Sequence, residues 1–133
     1  MIEIYVDGGS RGNPGYAGGG FVIFENGIKN EEGSEYYGEK TNNQAEYLAL
    51  RDALRKAYEK FGPHTDVQVY MDSMLAVEQM NGNWKVKSEN VRPLHQEVRR
   101  IADQFNDFRI THIRREKNTL ADKLANEAMD RGY

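Results

Sequence analysis

Four carboxylates stand where a strand or loop hands over to the next element: Asp7 (IEIYVD-GGS), Glu46 (TNNQAEYLAL), Asp72 (VQVYMD-SML) and Asp122 (REKNTLADKLAN). Gathered in one place, four acids repel one another unless cations lie among them. All-oxygen donors suit a hard divalent ion such as Mg²⁺. With no cysteine and no clustered histidine, nothing in the chain points to zinc. The chemistry implied is metal-assisted, provided the fold brings the four together.

Taken singly, each acid has a plainer reading. Asp7 suits a turn before Gly8-Gly9, and Asp72 suits the cap of a following helix. Glu46 could close a capping box with Asn43, and Asp122 stands where any acid favours a helix N-terminus. Glu46, however, precedes Leu50 by four residues on an apolar stripe, where an unpaired carboxylate is costly.

The elements that must position these acids follow from periodicity. Residues 2–7 alternate, with Ile2, Ile4 and Val6 on one face and Tyr5 and Asp7 on the other. GGSRGNPG reads as a glycine-rich turn, followed by a strand through residues 20–24. Asn26-Gly27 signals a tight hairpin, so residues 28–38 return as a third strand. Residues 43–61 are helical, with Leu50, Ala53, Leu54, Ala57, Tyr58 and Phe61 on one stripe, and Gly62-Pro63 stops them. A fourth strand at 67–72 leads into a short helix ending near Met80. Residues 89–106 read as a helix, 109–114 as a fifth strand and 119–130 as a closing helix.

This succession predicts an α/β fold. Strands one to three form an antiparallel meander. The fourth and fifth each follow a helix and pair in parallel through right-handed crossovers, which gives a five-stranded mixed sheet in the order 3-2-1-4-5 flanked by helices. Sites in such sheets form beyond the carboxyl ends of strands at the switch point, here between strands one and four. Asp7 and Asp72 end neighbouring strands in the same phase, about 4.8 Å apart. Strands three and five end at the same edge, so the helices that follow them bring Glu46 and Asp122 there in their first turns. All four acids converge.

Composition sets bounds on the partners. At 133 residues, 38% hydrophobic and 29% charged, residues 1–133 form a single domain able to bury a core. Apolar stretches such as residues 21–24 are far too short to span a membrane, so no membrane partner is expected. Met1 opens almost directly into a strand, with no leader expected before it, and a free-standing enzyme is the expectation. The absence of cysteine rules out disulfides and fits a cytoplasmic setting. The net charge of −3 conceals an asymmetry: residues 1–66 carry 7 basic and 11 acidic side chains, and residues 67–133 carry 11 and 10. If the four acids hold metal, the second half becomes modestly basic, enough for a nucleic-acid face but short of a tight nonspecific binder.

With those residues assembled, the chain resembles a type 1 ribonuclease H over essentially its whole length. The matching segments are DGGSRGNPG at 7–15, TNNQAEYLAL at 41–50, MDS at 71–73 and REKNTLADKLAN at 115–126. The resemblance implies the ribonuclease H-like fold and a monomer. The implied activity is an endonuclease that cuts the RNA strand of RNA·DNA hybrids, leaving a 5′-phosphate and a 3′-hydroxyl. It implies two Mg²⁺ ions, with Mn²⁺ as a substitute. Asp7 would bridge the pair, Asp122 would complete the ion serving the attacking water, and Glu46 and Asp72 would hold the other. Two such ions about 3.5–4 Å apart clamp both oxygens of an in-line displacement.

By the same resemblance, Asn13, Asn42, Asn43 and Gln44 face the hybrid's minor groove, where neutral amides suit 2′-hydroxyls. Thr41 and Trp84 hold the DNA-strand phosphate and sugar, Arg115 reaches the site edge, and Asn118 lies near the metals. Turn chemistry for Asn13, packing for Trp84 and a helix cap for Asn118 are the plainer readings of those three. The chain departs from many relatives in two places. Only NGNWKVKSENV bridges a gap where they carry a basic helix and loop, leaving Lys85, Lys87 and Arg92 as a remnant. In place of a mobile histidine before Asp122, His112 falls within a strand and reads as structural; His64 and His95 read as surface residues. Two other functions compete: a binding module that grips hybrid or A-form duplex without cutting, and a DNA nuclease of the same superfamily, such as a junction resolvase. The complete acidic quartet argues against the first, and TNNQAE beside DGGSRGNPG against the second.

Overall fold

The computed structural model describes residues 1–133. Its strands are β1 (Ile2–Gly12), β2 (Gly15–Glu25), β3 (Ile28–Lys40), β4 (Asp66–Met71) and β5 (Asp107–His112). Its helices are α1 (Asn42–Phe61), α2 (Met74–Met80), α3 (Arg92–Ala102) and α4 (Thr119–Arg131), with a 3₁₀ turn at Arg115–Lys117 before the last. The sheet runs β3-β2-β1-β4-β5, with β1 antiparallel to β2 and parallel to β4, as the connections require.

The alternation of β1 does what its sequence predicts: Ile2, Ile4 and Val6 are buried, and the intervening residues are only partly covered. Its length is a correction. Pairing continues past Asp7↔Gly20 to Gly12↔Gly15, so GGSRG is strand and Asn13-Pro14 alone makes the turn. Main-chain pairing needs no apolar side chains, so hydrophobic alternation underestimates the strand. Helix α3 is shorter than the expected 89–106. Pro93 in its first turn sets the start, and β5 begins two residues before the expected 109.

Helices α1, α2 and α3 cover one face of the sheet over a core of 22 buried residues, among them Ile4, Val6, Leu50, Leu54, Val69 and Val98. Helix α4 crosses the opposite face, burying Ala121, Leu124, Ala125 and Ala128. Its approach is close because β2 presents only Gly18 and Gly20 where the helix comes nearest. A Cβ on Gly20 would lie 2.6 Å from the Ala121 carbonyl oxygen and 2.6 Å from the Leu124 Cβ. Gly8 plays the same part against the Ala45 main chain at the start of α1. Two glycines thus let the two acid-bearing helices sit down on opposite faces of the sheet. No helix is long and apolar enough to cross a membrane.

Candidate active site

The parallel register Val6↔Met71 puts Asp7 and Asp72 side by side just past the last paired residues of the two central strands. Asp122 enters from the first turn of α4. Glu46 enters from α1, one turn further along than its sequence suggests, since the first turn of α1 holds no acid. Together with Asn42, Arg11, Arg115 and Asn126, the four carboxylates border one open cavity of about 350 Å³.

The ordinary roles available to these acids are taken by other residues. The capping box of α1 is Thr41 with Gln44: Thr41 Oγ1 accepts from Gln44 N at 3.1 Å, and Gln44 Oε1 accepts from Thr41 N at 2.9 Å. The cap of α2 is Ser73, which accepts from Ala76 N, and so Asp72 is released from that duty. Asp7 lies within a strand instead of at a turn. Asp7, Glu46 and Asp72 have no ion-pair partner. Asp122 has one, Arg115, at 3.6 Å on a side chain that is 79% exposed, a pairing of little energetic weight.

The electrostatics register this uncompensated charge. Burial, then the charge of Asp72, then contact with Asp122, push the Asp7 carboxyl up from 3.8 to about 9. Glu46, only 9% exposed, is raised to about 7 by burial, with the Ser73 hydroxyl opposing and Asp72 adding to the rise. Asp7 and Glu46 hold their protons more tightly than free carboxyls do, and a cation bound among the four acids would offset that by favouring the charged forms. As the side chains stand, no three of them form a ready-made coordination cage. The donor set nonetheless fits a hard divalent cation: four carboxylates around one solvent-accessible cavity, with no sulfur or imidazole among them.

Asn42 is central to the arrangement. Its Nδ2 donates to Glu46 Oε1 at 2.8 Å, and its Oδ1 accepts from Ser10 N at 3.1 Å, so it links the far end of β1 to the acid on α1. Asn13 Oδ1 accepts from Asn42 N at 3.0 Å, which fastens the β1–β2 turn to the same helix start. Asn13 and Gln44 thus spend their side-chain oxygens on local structure and keep their NH₂ groups as donors, while Thr41, whose Oγ1 accepts from Gln44 N, keeps its hydroxyl hydrogen. Asn43 borders a second, larger cavity of about 620 Å³ with Trp84, Lys85 and Lys87. Trp84 is 45% exposed, more open than a packing residue.

Asn118 is a correction. It is 1% exposed, its Nδ2 donates to the Val6 carbonyl at 2.8 Å, and it makes no capping hydrogen bond. Its side chain pins the start of α4 to β1 and does not reach the cavity. His112 ends β5 in register with Met71, the residue before Asp72, and is not among the residues that border the acidic cavity. His95 also differs from expectation: half-buried, it stands edge-on to Tyr47 with its ring centroid 5.9 Å away. The principal residue missed by the sequence reading is Arg11, on the cavity rim, paired with Asp130 at 2.6 Å and near Asn126. Had β1 been extended to Gly12, the strand phase shared by Asp7, Gly9 and Arg11 would have indicated it.

Comparison with known proteins bears on the whole chain. A family profile described as "Reverse transcriptase-like" matches residues 5–128. The chain is 44% identical over 131 residues to a bifunctional protein of Mycobacterium tuberculosis, covering 97% of this chain and 35% of that one. It is 42% identical over 131 residues to ribonuclease HI of Halobacterium salinarum, covering 97% and 64%. It therefore spans between a third and two thirds of the length of these relatives. Among solved structures, LC11-RNase H1 in complex with an RNA/DNA hybrid superposes with a TM-score of 0.93 at 43% identity, covering 98% of each chain.

Proposed function

Because the chain belongs to the type 1 ribonuclease H family, we propose that it hydrolyses the RNA strand of RNA·DNA hybrids at the cavity bordered by Asp7, Glu46, Asp72 and Asp122. The observation that carries this reading is the convergence of four acids, three without an ion-pair partner, at the switch point of the sheet.

Asp7, in contact with both Asp72 and Asp122, would serve both of two divalent cations; Glu46 and Asp72 would help hold one, and Asp122 the other. Bound there, two divalent ions, Mg²⁺ or in its place Mn²⁺, would supply the Lewis acidity that stabilises the attacking and leaving oxygens. The chain's own contribution is to hold its ligands in place. Asn42 fixes the Glu46 carboxylate, and the two helix approaches fix Glu46 and Asp122 relative to the strands. The products are a 5′-phosphate and a 3′-hydroxyl. Asn13, Asn42, Asn43 and Gln44 offer amide groups to the minor groove of the hybrid. Thr41 and Trp84, with the lysines beside Trp84, take the DNA strand, and Arg115 meets the scissile phosphate from the rim.

We place the activity in a cytoplasmic monomer in which residues 1–133 are one catalytic domain. The test is cleavage of matched hybrid, RNA duplex and DNA duplex substrates with Mg²⁺ and with Mn²⁺. Internal cuts confined to the RNA of the hybrid are expected. Preferential cutting of the DNA duplex, or hybrid binding without cleavage in either metal, would overturn the reading.

A further inference from the structure

The strap of residues 81–88 between α2 and α3 carries Trp84, Lys85 and Lys87 along the larger cavity, yet it has almost no regular structure. Its first half is tied to α2: the N–H groups of Asn83 and Trp84 both donate to the Glu78 carbonyl, at 2.9 and 3.3 Å. From Lys85 to Lys87 the main chain makes a single hydrogen bond, in which the Lys85 carbonyl accepts from Gln79 Nε2 at 3.1 Å. Gln79 is 7% exposed, an expensive place for an amide unless every atom is used. Its Oε1 accepts from the hydroxyl of Tyr47 at 2.8 Å, and Tyr47 is 1% exposed. His95 closes the arrangement, with Nε2 3.3 Å from the Gln79 carbonyl and its ring against Tyr47.

The polarity of this chain of bonds is fixed. A carbonyl only accepts, so Gln79 must turn its NH₂ towards Lys85 and its oxygen towards Tyr47, which makes the phenol the donor. Tyr47 directly follows Glu46 on α1. One buried path therefore runs from the helix that holds a candidate metal ligand to the exposed strap that lines the second cavity.

We infer that Gln79, held by Tyr47, is a positioning residue that sets the strap for the DNA strand of the hybrid, an inference that rests on the proposed function. Between α2 and α3 this chain has only a short exposed segment. Without the latch, that segment must be ordered at the moment of binding, and affinity falls by the cost of ordering it.

Gln79→Leu keeps the volume and removes both bonds; Tyr47→Phe removes only the donor. The single tryptophan of the chain, Trp84, reports the strap without reference to activity. In both variants, acrylamide quenching of Trp84 fluorescence should rise by about half or more as the strap loosens. KM for hybrid should rise about 5- to 20-fold while kcat stays within about two-fold. If Gln79→Leu fails to fold, Tyr47→Phe decides. A parent that cuts hybrid, with variants unchanged in quenching or in KM, overturns the latch alone. A parent that cuts no hybrid overturns the functional reading on which the latch rests, whatever the quenching shows.

Discussion

Asp7 and Glu46 are carboxyls that burial and the neighbouring acids make costly to charge, and that cost has a direction in pH. Both carboxyls bind protons more tightly in the folded protein than in the unfolded chain, where ordinary carboxyls titrate near pH 4. Between about pH 4 and pH 9 the folded state therefore holds more protons, and stability of the metal-free protein must decline as pH rises through that window. Thermal unfolding in a chelator should show this decline, and saturating Mg²⁺ should flatten it. Asp7→Asn removes the most perturbed of the acids. It should unfold with about 1–2 kcal/mol more stability than the parent at neutral pH and cut hybrid at least about 100-fold more slowly. A variant less stable than the parent would mean that Asp7 is satisfied by contacts within the protein. Asn42→Ala, which frees the Glu46 carboxylate and leaves Ser10 N without its acceptor, should lower kcat by about 10-fold in steady-state cleavage and cost about 1 kcal/mol in thermal unfolding.

At the level of elements, the acids were readable because strand phase and connectivity are properties of periodicity. Ile2, Ile4 and Val6 set the phase that puts Asp7 beside Asp72, the crossover through α1 carries Glu46, and the helix that follows β5 carries Asp122. What stayed hidden depends on main-chain pairing and on contacts between distant residues. The continuation of β1 to Gly12 leaves no apolar signature, and Arg11 was missed with it. Asn118 looked like a helix cap, yet its side chain points to the Val6 carbonyl, a partner 112 residues away that no local pattern announces. The glycines of β2 were visible as letters, but only the packing shows that Gly20 sets the height of α4. Gly20→Ala would force its Cβ against the Ala121 carbonyl. It should cost about 1–3 kcal/mol of stability and, by lifting Asp122 away from Asp7, raise the Mg²⁺ concentration needed for half-maximal cleavage. An alanine variant with parental metal dependence would show that α4 tolerates the shift without moving its acid.

Over the whole molecule, the charge distribution separates catalysis from grip. The chain is net negative, with Asp7, Glu46, Asp72 and Asp122 at one cavity and Lys85 and Lys87 along another. Binding of a polyanion should therefore depend on few cationic contacts. Replacing Lys85 and Lys87 together with alanine should reduce the salt slope of hybrid affinity by about one to two while leaving kcat near the parental value; an unchanged slope would place the hybrid elsewhere. The claim on which the rest depends is that the four carboxylates act by holding divalent cations over the RNA strand of a hybrid. The most direct measurement is cleavage of an end-labelled RNA paired to DNA, comparing parent and Asp7→Asn across a Mg²⁺ titration with a chelator control. Internal RNA cuts by the parent should vanish in chelator and be nearly absent in Asp7→Asn at every Mg²⁺ concentration. Parental cleavage that persists in chelator, or an Asp7→Asn variant that cuts as fast as the parent, would contradict that claim.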